Sequence, residues 1–334
     1  MRCFWDERQR AHRPAGEFFN GAMHPPAEHS GRIDAIIAAI GRTETPDDQG
    51  LEALLRVHSA EYLDFLRTAH EQWRAAGREG DAFPYTFPLV KRRPLKLNRI
   101  DALLGQYSFD TSTPIGAGTW EASYWAAQTA LGATDAVLRG ERSAFAFCRP
   151  PGHHAGADYF GGYSYLSNAA IAAEHAIASG RKRVAILDVD YHHGNGTQDI
   201  FYERSDVLYA SIHADPSTDY PFFWGHADEL GAGNGEGANL NLSLPRGTDW
   251  AAYEPALVRA LETIERHAPD LLIVSYGADT YEGDPISHFR LKTSDYAPMA
   301  RRVASLGLPT VIVMEGGYAV DALGANVAEF LSGF

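Results

Sequence analysis

Cysteine is scarce in this sequence: Cys3 and Cys148 are the only two in 334 residues. A pair cannot build a disulfide framework, and it suits a reducing compartment. Long apolar runs are missing as well. No stretch of about 18 apolar residues occurs, so a membrane-spanning helix is not expected. The opening MRCFWDERQRAHRPAGE has no apolar segment of the kind that forms a signal peptide, which predicts a cytoplasmic protein. Basic residues are outnumbered, with 29 Lys and Arg against 43 Asp and Glu, a net charge of −14. That sign disfavours nucleic acid and favours the approach of cationic substrates. Repeats, low-complexity tracts and Gly/Ser linkers are also lacking, so residues 1–334 are expected to form a single domain.

What is present is an alternation of strands and helices. Short apolar runs bounded by polar or glycine turns stand at Ala144–Cys148, Val184–Val189, Val207–Ile212, Leu271–Ser275 and Thr310–Met314. Strands apolar on both faces belong to a covered sheet. Helical patterns lie between them, at Ala122–Arg139, Asn168–Ser179 and Trp250–His267. The expected fold is α/β, with a central, mostly parallel, doubly wound sheet and helices on both faces. Residues 78–99 fit no period and contain three prolines. Phe83, Tyr85 and Phe87 beside Lys91, Arg92 and Arg93 would suit either a surface loop or a partner surface.

The chemistry-bearing residues gather where these strands end, the usual place for function in open α/β sheets. Asp188-Val-Asp190-Tyr-His192-His193-Gly194-Asn195-Gly196 follows one buried strand. Asp190 and His192 are two apart, so an extended backbone would aim both the same way. Carboxylate and imidazole are common metal ligands, and Asp188 could accept a hydrogen bond behind them. Asp279, just past another buried strand, supplies a third ligand, with Glu282 and Asp284 as alternatives. Two carboxylates and one histidine leave a position open for water or substrate. Arg149-Pro150-Pro151-Gly152-His153-His154 follows a third strand, and histidine is the natural proton carrier near neutral pH. Glu315-Gly316-Gly317-Tyr318 follows a fourth and can aim a tyrosine hydroxyl at an oxyanion.

Taken together, RPPGHHA, DVDYHHGNGTQDIFY, the segment ending in Asp279, and EGGY resemble the deacetylase branch of the arginase–deacetylase superfamily, in its order. The resemblance runs from near Glu17 to the C-terminus. Segments at 119–122 (TWEA), 160–163 (FGGY) and 284–287 (DPIS) are similar above all to the bacterial acetylpolyamine amidohydrolases. It implies zinc on Asp190, His192 and Asp279, with Fe²⁺ or Co²⁺ also compatible with that donor set. It also implies His154 as general base and acid, His153 assisting, Asp188 orienting His153, and Tyr318 holding the scissile carbonyl. Asn195 stands where some relatives have aspartate. Structural K⁺ or Na⁺ would sit at Asp188, Asp190, His192, Ser211 and Ile212, and at Phe201, Arg204 and Val207.

For substrate, the resemblance points to Glu17, Tyr163, Tyr220, Gly162, Phe160 and Asp110 around a small cationic acetylated amine. Ser112 departs from the pattern, because relatives carry an acidic residue at that rim position. The implied activity is hydrolysis of acetylated polyamines such as acetylputrescine, acetylcadaverine or acetylspermidine. A protein lysine deacetylase and a noncatalytic binding module for cationic ligands are the alternatives. The family also leads one to expect a homodimer through the 78–99 loop.

Overall fold

Among the described residues nine strands follow in chain order: β1 (Arg2–Phe4), β2 (Glu17–Phe19), β3 (Ala22–His24), β4 (Ser143–Ala146), β5 (Val184–Asp188), β6 (Val207–Ala214), β7 (Asn239–Leu244), β8 (Leu271–Tyr276) and β9 (Thr310–Met314). The computed structural model describes residues 1–88 and 96–334. Seven strands form one sheet in the order β1-β4-β9-β8-β5-β6-β7, and every pairing in it is parallel. β2 and β3 make a separate antiparallel hairpin.

Alternation along the strands divides the core in two. Ala144, Ala146, Val184 and Ile186 pack under the helices Thr119–Leu138 and Asn168–Ala178 on one face. Phe145, Phe147, Ala185 and Leu187 pack on the other, against Trp250–His267, Thr293–Ala304 and Val320–Leu331. Full burial of each large aliphatic side chain contributes about 1.5–3 kcal/mol, so the central strands must be apolar on both sides. The expected α/β architecture is therefore present, and all five expected strands exist. The edge strands β1 and β7 lie outside that expectation. β1 is three residues long, and β7 (Asn239–Leu244) alternates Asn and Leu rather than running apolar.

The segment 78–99 is described only in part, and Lys91, Arg92 and Arg93 lie outside the described residues. Before them, Ala82 bridges to Ile115. Residue 86 lies so close to the helix Ile100–Tyr107 that a Cβ on Gly105 would overlap the Thr86 carbonyl. Tyr85 and Phe87 are exposed. Among the described residues, no helix is long and apolar enough to cross a membrane.

Candidate active site

Parallel strands deliver their carboxyl ends to one edge, and four of them build the site. β5 ends at Asp188, so Asp190 and His192 sit on a bend beyond it and not on the extended run expected from their spacing. They converge nonetheless, because the bend is held by the His192 backbone N–H donating to Asp190 Oδ1 at 2.9 Å. Asp279 follows β8 and arrives from the neighbouring strand. Each of these three side chains offers one ligand atom within 4.8 Å of the others. Glu282 and Asp284 do not join them.

The donor set fits a metal ion. His192 Nδ1 lies 3.0 Å from Asp279 Oδ2 and 3.4 Å from Asp190 Oδ1. Four-coordinate zinc with bonds of roughly 2.0–2.1 Å separates its ligands by about 3.3 Å. The remaining carboxylate oxygens are tethered by backbone N–H groups, Asp190 Oδ2 by Gly316 at 2.8 Å and Asp279 Oδ1 by Tyr191 at 2.9 Å. The backbone presses close around them. A Cβ on Gly277 would stand 2.0 Å from Asp190 Oδ2, and one on Gly316 2.6 Å from Asp279 Oδ2. Burial and repulsion from Asp190 raise the Asp279 carboxyl above its ordinary range. The neighbouring Asp190 carboxyl, which burial would also raise, is drawn the other way, below its ordinary range, by His153 and His192.

His153 and His154 leave the β4 end together, ring centroids 4.1 Å apart, but meet different partners. His153 Nδ1 lies 3.1 Å from Asp188 Oδ2. Burial would lower its pKa, but Asp190 and Asp188 outweigh that and bring it to about 10. His154 Nδ1 lies 2.7 Å from Asn195 Oδ1. An amide oxygen only accepts, so Nδ1 carries the proton and Nε2 is left with a lone pair. Burial, then His153 and His192, hold His154 well below its ordinary pKa.

Above these groups opens a cavity of about 320 Å³. His154, His192 and Tyr318 line it, with Tyr163, Tyr220 and Gly162 among its walls. The Tyr163 and Tyr318 ring centroids are 5.7 Å apart. Gly162 is required where it stands: its φ is +54°, and a Cβ would fall 2.2 Å from His154 Cδ2. Glu17, carried in by the β2–β3 hairpin, also lines the cavity, with Ser112. It is only 4% exposed, burial raises its pKa, and its Oε2 has no hydrogen-bond partner among the described residues.

Two of the expected substrate contacts belong elsewhere. Phe160 is fully buried in the core, between the rings of Phe65 and Tyr165. Its apolar neighbours hold it away from the cavity. Asp110 stands behind the wall, since its Oδ2 accepts from Gly162 N, Tyr220 OH, Ser112 Oγ and Thr113 Oγ1 at 2.7–3.2 Å. A carboxylate with those donors filled ties wall segments together and does not face an amine. At the expected monovalent-cation positions, β5–β6 register sets Asp188 opposite Ser211. In the second, the Phe201 carbonyl accepts from Arg204 N at 3.0 Å.

Sequence reasoning missed a buried charge network beneath the site. Glu28 accepts from Arg149 Nε at 2.7 Å and Nη2 at 3.0 Å, and from Arg32 Nη1 at 3.0 Å. Arg32 also donates to the Gly317 carbonyl at 2.8 Å and to that of Glu315. Glu315 Oε2 in turn accepts from the Gly152 and His153 backbone N–H groups. The only signal available was an arginine four residues after Glu28, in a helix otherwise dominated by apolar residues.

The match to known proteins covers this whole arrangement. Residues 26–334 match the histone deacetylase domain family. The chain is 50% identical to acetylpolyamine amidohydrolase 1 of Pseudomonas aeruginosa, across 100% of this chain and 99% of the relative. It is 43% identical to the acetylpolyamine amidohydrolase of Mycoplana ramosa, across 100% and 98%. The crystal structure of an acetylpolyamine aminohydrolase from Burkholderia pseudomallei superposes with a TM-score of 0.96 at 43% identity, covering 100% of this chain and 98% of that one. The chain belongs to the histone deacetylase family and is an amidohydrolase of the deacetylase type.

Proposed function

We propose that the protein hydrolyses the acetamide of small acetylated polyamines, releasing acetate and the free amine. The observation that carries this reading is Glu17, a buried carboxylate whose Oε2 has no hydrogen-bond partner among the described residues, in the wall of the cavity that ends on His154, His192 and Tyr318. An ammonium group along a flexible aliphatic chain satisfies such a carboxylate while the neutral acetamide reaches the floor.

Asp190, His192 and Asp279 would hold a zinc ion, which supplies Lewis acidity toward the acetamide carbonyl and its attacking water. His154 Nε2 takes the water proton, with Asn195 fixing its tautomer. His153, held by Asp188, assists electrostatically beside it. The Tyr318 hydroxyl donates to the carbonyl oxygen as negative charge develops there. A proton returned from the histidine pair lets the amine depart. Asp188, Asp190, His192, Ser211 and Ile212, and separately Phe201, Arg204 and Val207, would hold structural K⁺ or Na⁺. A cytoplasmic homodimer through residues 78–99 completes the proposal.

A panel of acetylputrescine, acetylspermidine, an acetyl-lysine peptide and a neutral acetamide of similar length tests it. Glu17→Gln should raise KM several-fold for the amines and spare the neutral amide. An exposed ion pair is worth only about 0.2–1 kcal/mol, and partial burial enlarges this. Preference for the peptide over every acetylated polyamine would overturn the substrate and leave the hydrolytic chemistry standing.

A further inference from the structure

Asp284 is one of the carboxylates that its spacing after β8 offered as a metal ligand, and the structure gives it different partners. It is 7% exposed. Its Oδ2 accepts from the Tyr318 backbone N–H at 2.7 Å and from that of Ala319 at 3.2 Å. Its Oδ1 accepts from Ile286 N at 3.1 Å, and Ile286 lines the cavity. Three residues on from Asp284, the Ser287 hydroxyl donates to the Asp279 carbonyl. One short segment therefore grips both the backbone of a proposed metal ligand and the backbone of Tyr318.

Tyr318 needs such a grip. Gly316 and Gly317 precede it, and Gly317 has a φ of +121°, so the chain before the tyrosine has no side chains of its own to fix its path. Arg32 holds the turn at the carbonyls of Glu315 and Gly317, with its guanidinium 5.1 Å from the Tyr318 ring. Asp284 holds the Tyr318 N–H that follows this turn. We infer that Asp284 is a positioning residue for the reaction, clamping the Tyr318 backbone in register with the Asp279 loop. The inference rests on the reading of Tyr318 as the carbonyl donor. A purely structural role is the competing explanation, because the same two N–H groups precede the helix Val320–Leu331.

A double-mutant cycle on the metal-loaded enzyme with acetylputrescine separates the two. Displacement of a catalytic group by about 1 Å can cost up to roughly 10²-fold, so Asp284→Asn should lower kcat by about tenfold or more while KM and bound metal hold. In a Tyr318→Phe background the same substitution should cost less than about twofold, because the group it positions is gone. Amide exchange at Tyr318 and Ala319 in metal-free protein should quicken, and that across β9 should not. Equal kcat factors in both backgrounds, loss of metal, or a kcat within about twofold of wild type would overturn the clamp. Should Tyr318→Phe alone leave kcat nearly unchanged, the reading of Tyr318 and this inference fall together. If Asp284→Asn does not fold, Asp284→Ser, which retains one acceptor, carries the same cycle and the same outcomes.

Discussion

Asn195 shows how one acceptor sets the protonation of the site. Its Oδ1, 2.7 Å from His154 Nδ1, fixes the tautomer without adding charge, and His154 stays well below its ordinary pKa through burial and the neighbouring His153 and His192. A bound cation beside its ring would push His154 further toward the neutral form. Replacing the amide with a carboxylate would stabilise imidazolium and raise the His154 pKa. The unprotonated base would then require a higher pH. Asn195→Asp should thus move the acidic limb of the kcat/KM profile upward in pH and lower activity on the acid side. A limb that stays in place or moves downward would remove His154 from the role of base.

At the level of elements, the wall of the cavity is assembled from the β2–β3 hairpin and several loops, and Asp110 ties two of those loops together. Its Oδ2 joins Gly162 and Tyr220 across a separation of 58 residues. Asp110→Asn keeps one acceptor oxygen but replaces the other with an N–H₂ group, which cannot serve converging donors. KM should rise several-fold while kcat at saturation changes less, since His154, Tyr318 and the proposed metal ligands are untouched. A fall in kcat at constant KM would show instead that Asp110 acts on the reaction centre. This element scale is also where the sequence was hardest to read. The central strands and the cluster of Asp190, His192 and Asp279, which could hold a metal ion, were legible because a buried strand must be apolar and its end must present the chemistry. β1 and β7 escaped because edge strands need no continuous apolar run. Phe160 was misplaced because a family motif gives proximity along the chain, whereas the FGGY loop turns its first ring inward and its last outward. Phe19, Phe222 and Ile286 were missed as wall residues, since their neighbours across the cavity are set only by tertiary packing.

For the molecule as a whole, the Glu28–Arg32–Arg149 network joins the N-terminal segment to the turns that carry His153 and Tyr318. Arg149 reaches the carbonyls of Gln9 and His12, and Arg32 reaches those of Glu315 and Gly317. Burial alone would raise the Glu28 carboxyl, but Arg149 and Arg32 outweigh it and bring it down to about 2. A pKa lower in the folded state means stability that is fully present above the unfolded value and lost as pH falls through the folded one. With an unfolded glutamate near about 4.3, the window runs from roughly pH 4.5 to 2, and linkage gives a contribution of order 3 kcal/mol. Glu28→Gln should already be weaker at neutral pH by about 3–5 kcal/mol, because two guanidinium groups are left buried without their counterion. The variant should then show a shallower loss of stability below pH 4.5 than the wild type, because it has no Glu28 proton to take up. Urea denaturation of both metal-free proteins at intervals from pH 7 to 2.5 would measure the difference. Parallel profiles through that window would mean that the network binds no extra proton there, and that acid unfolding begins at other carboxylates.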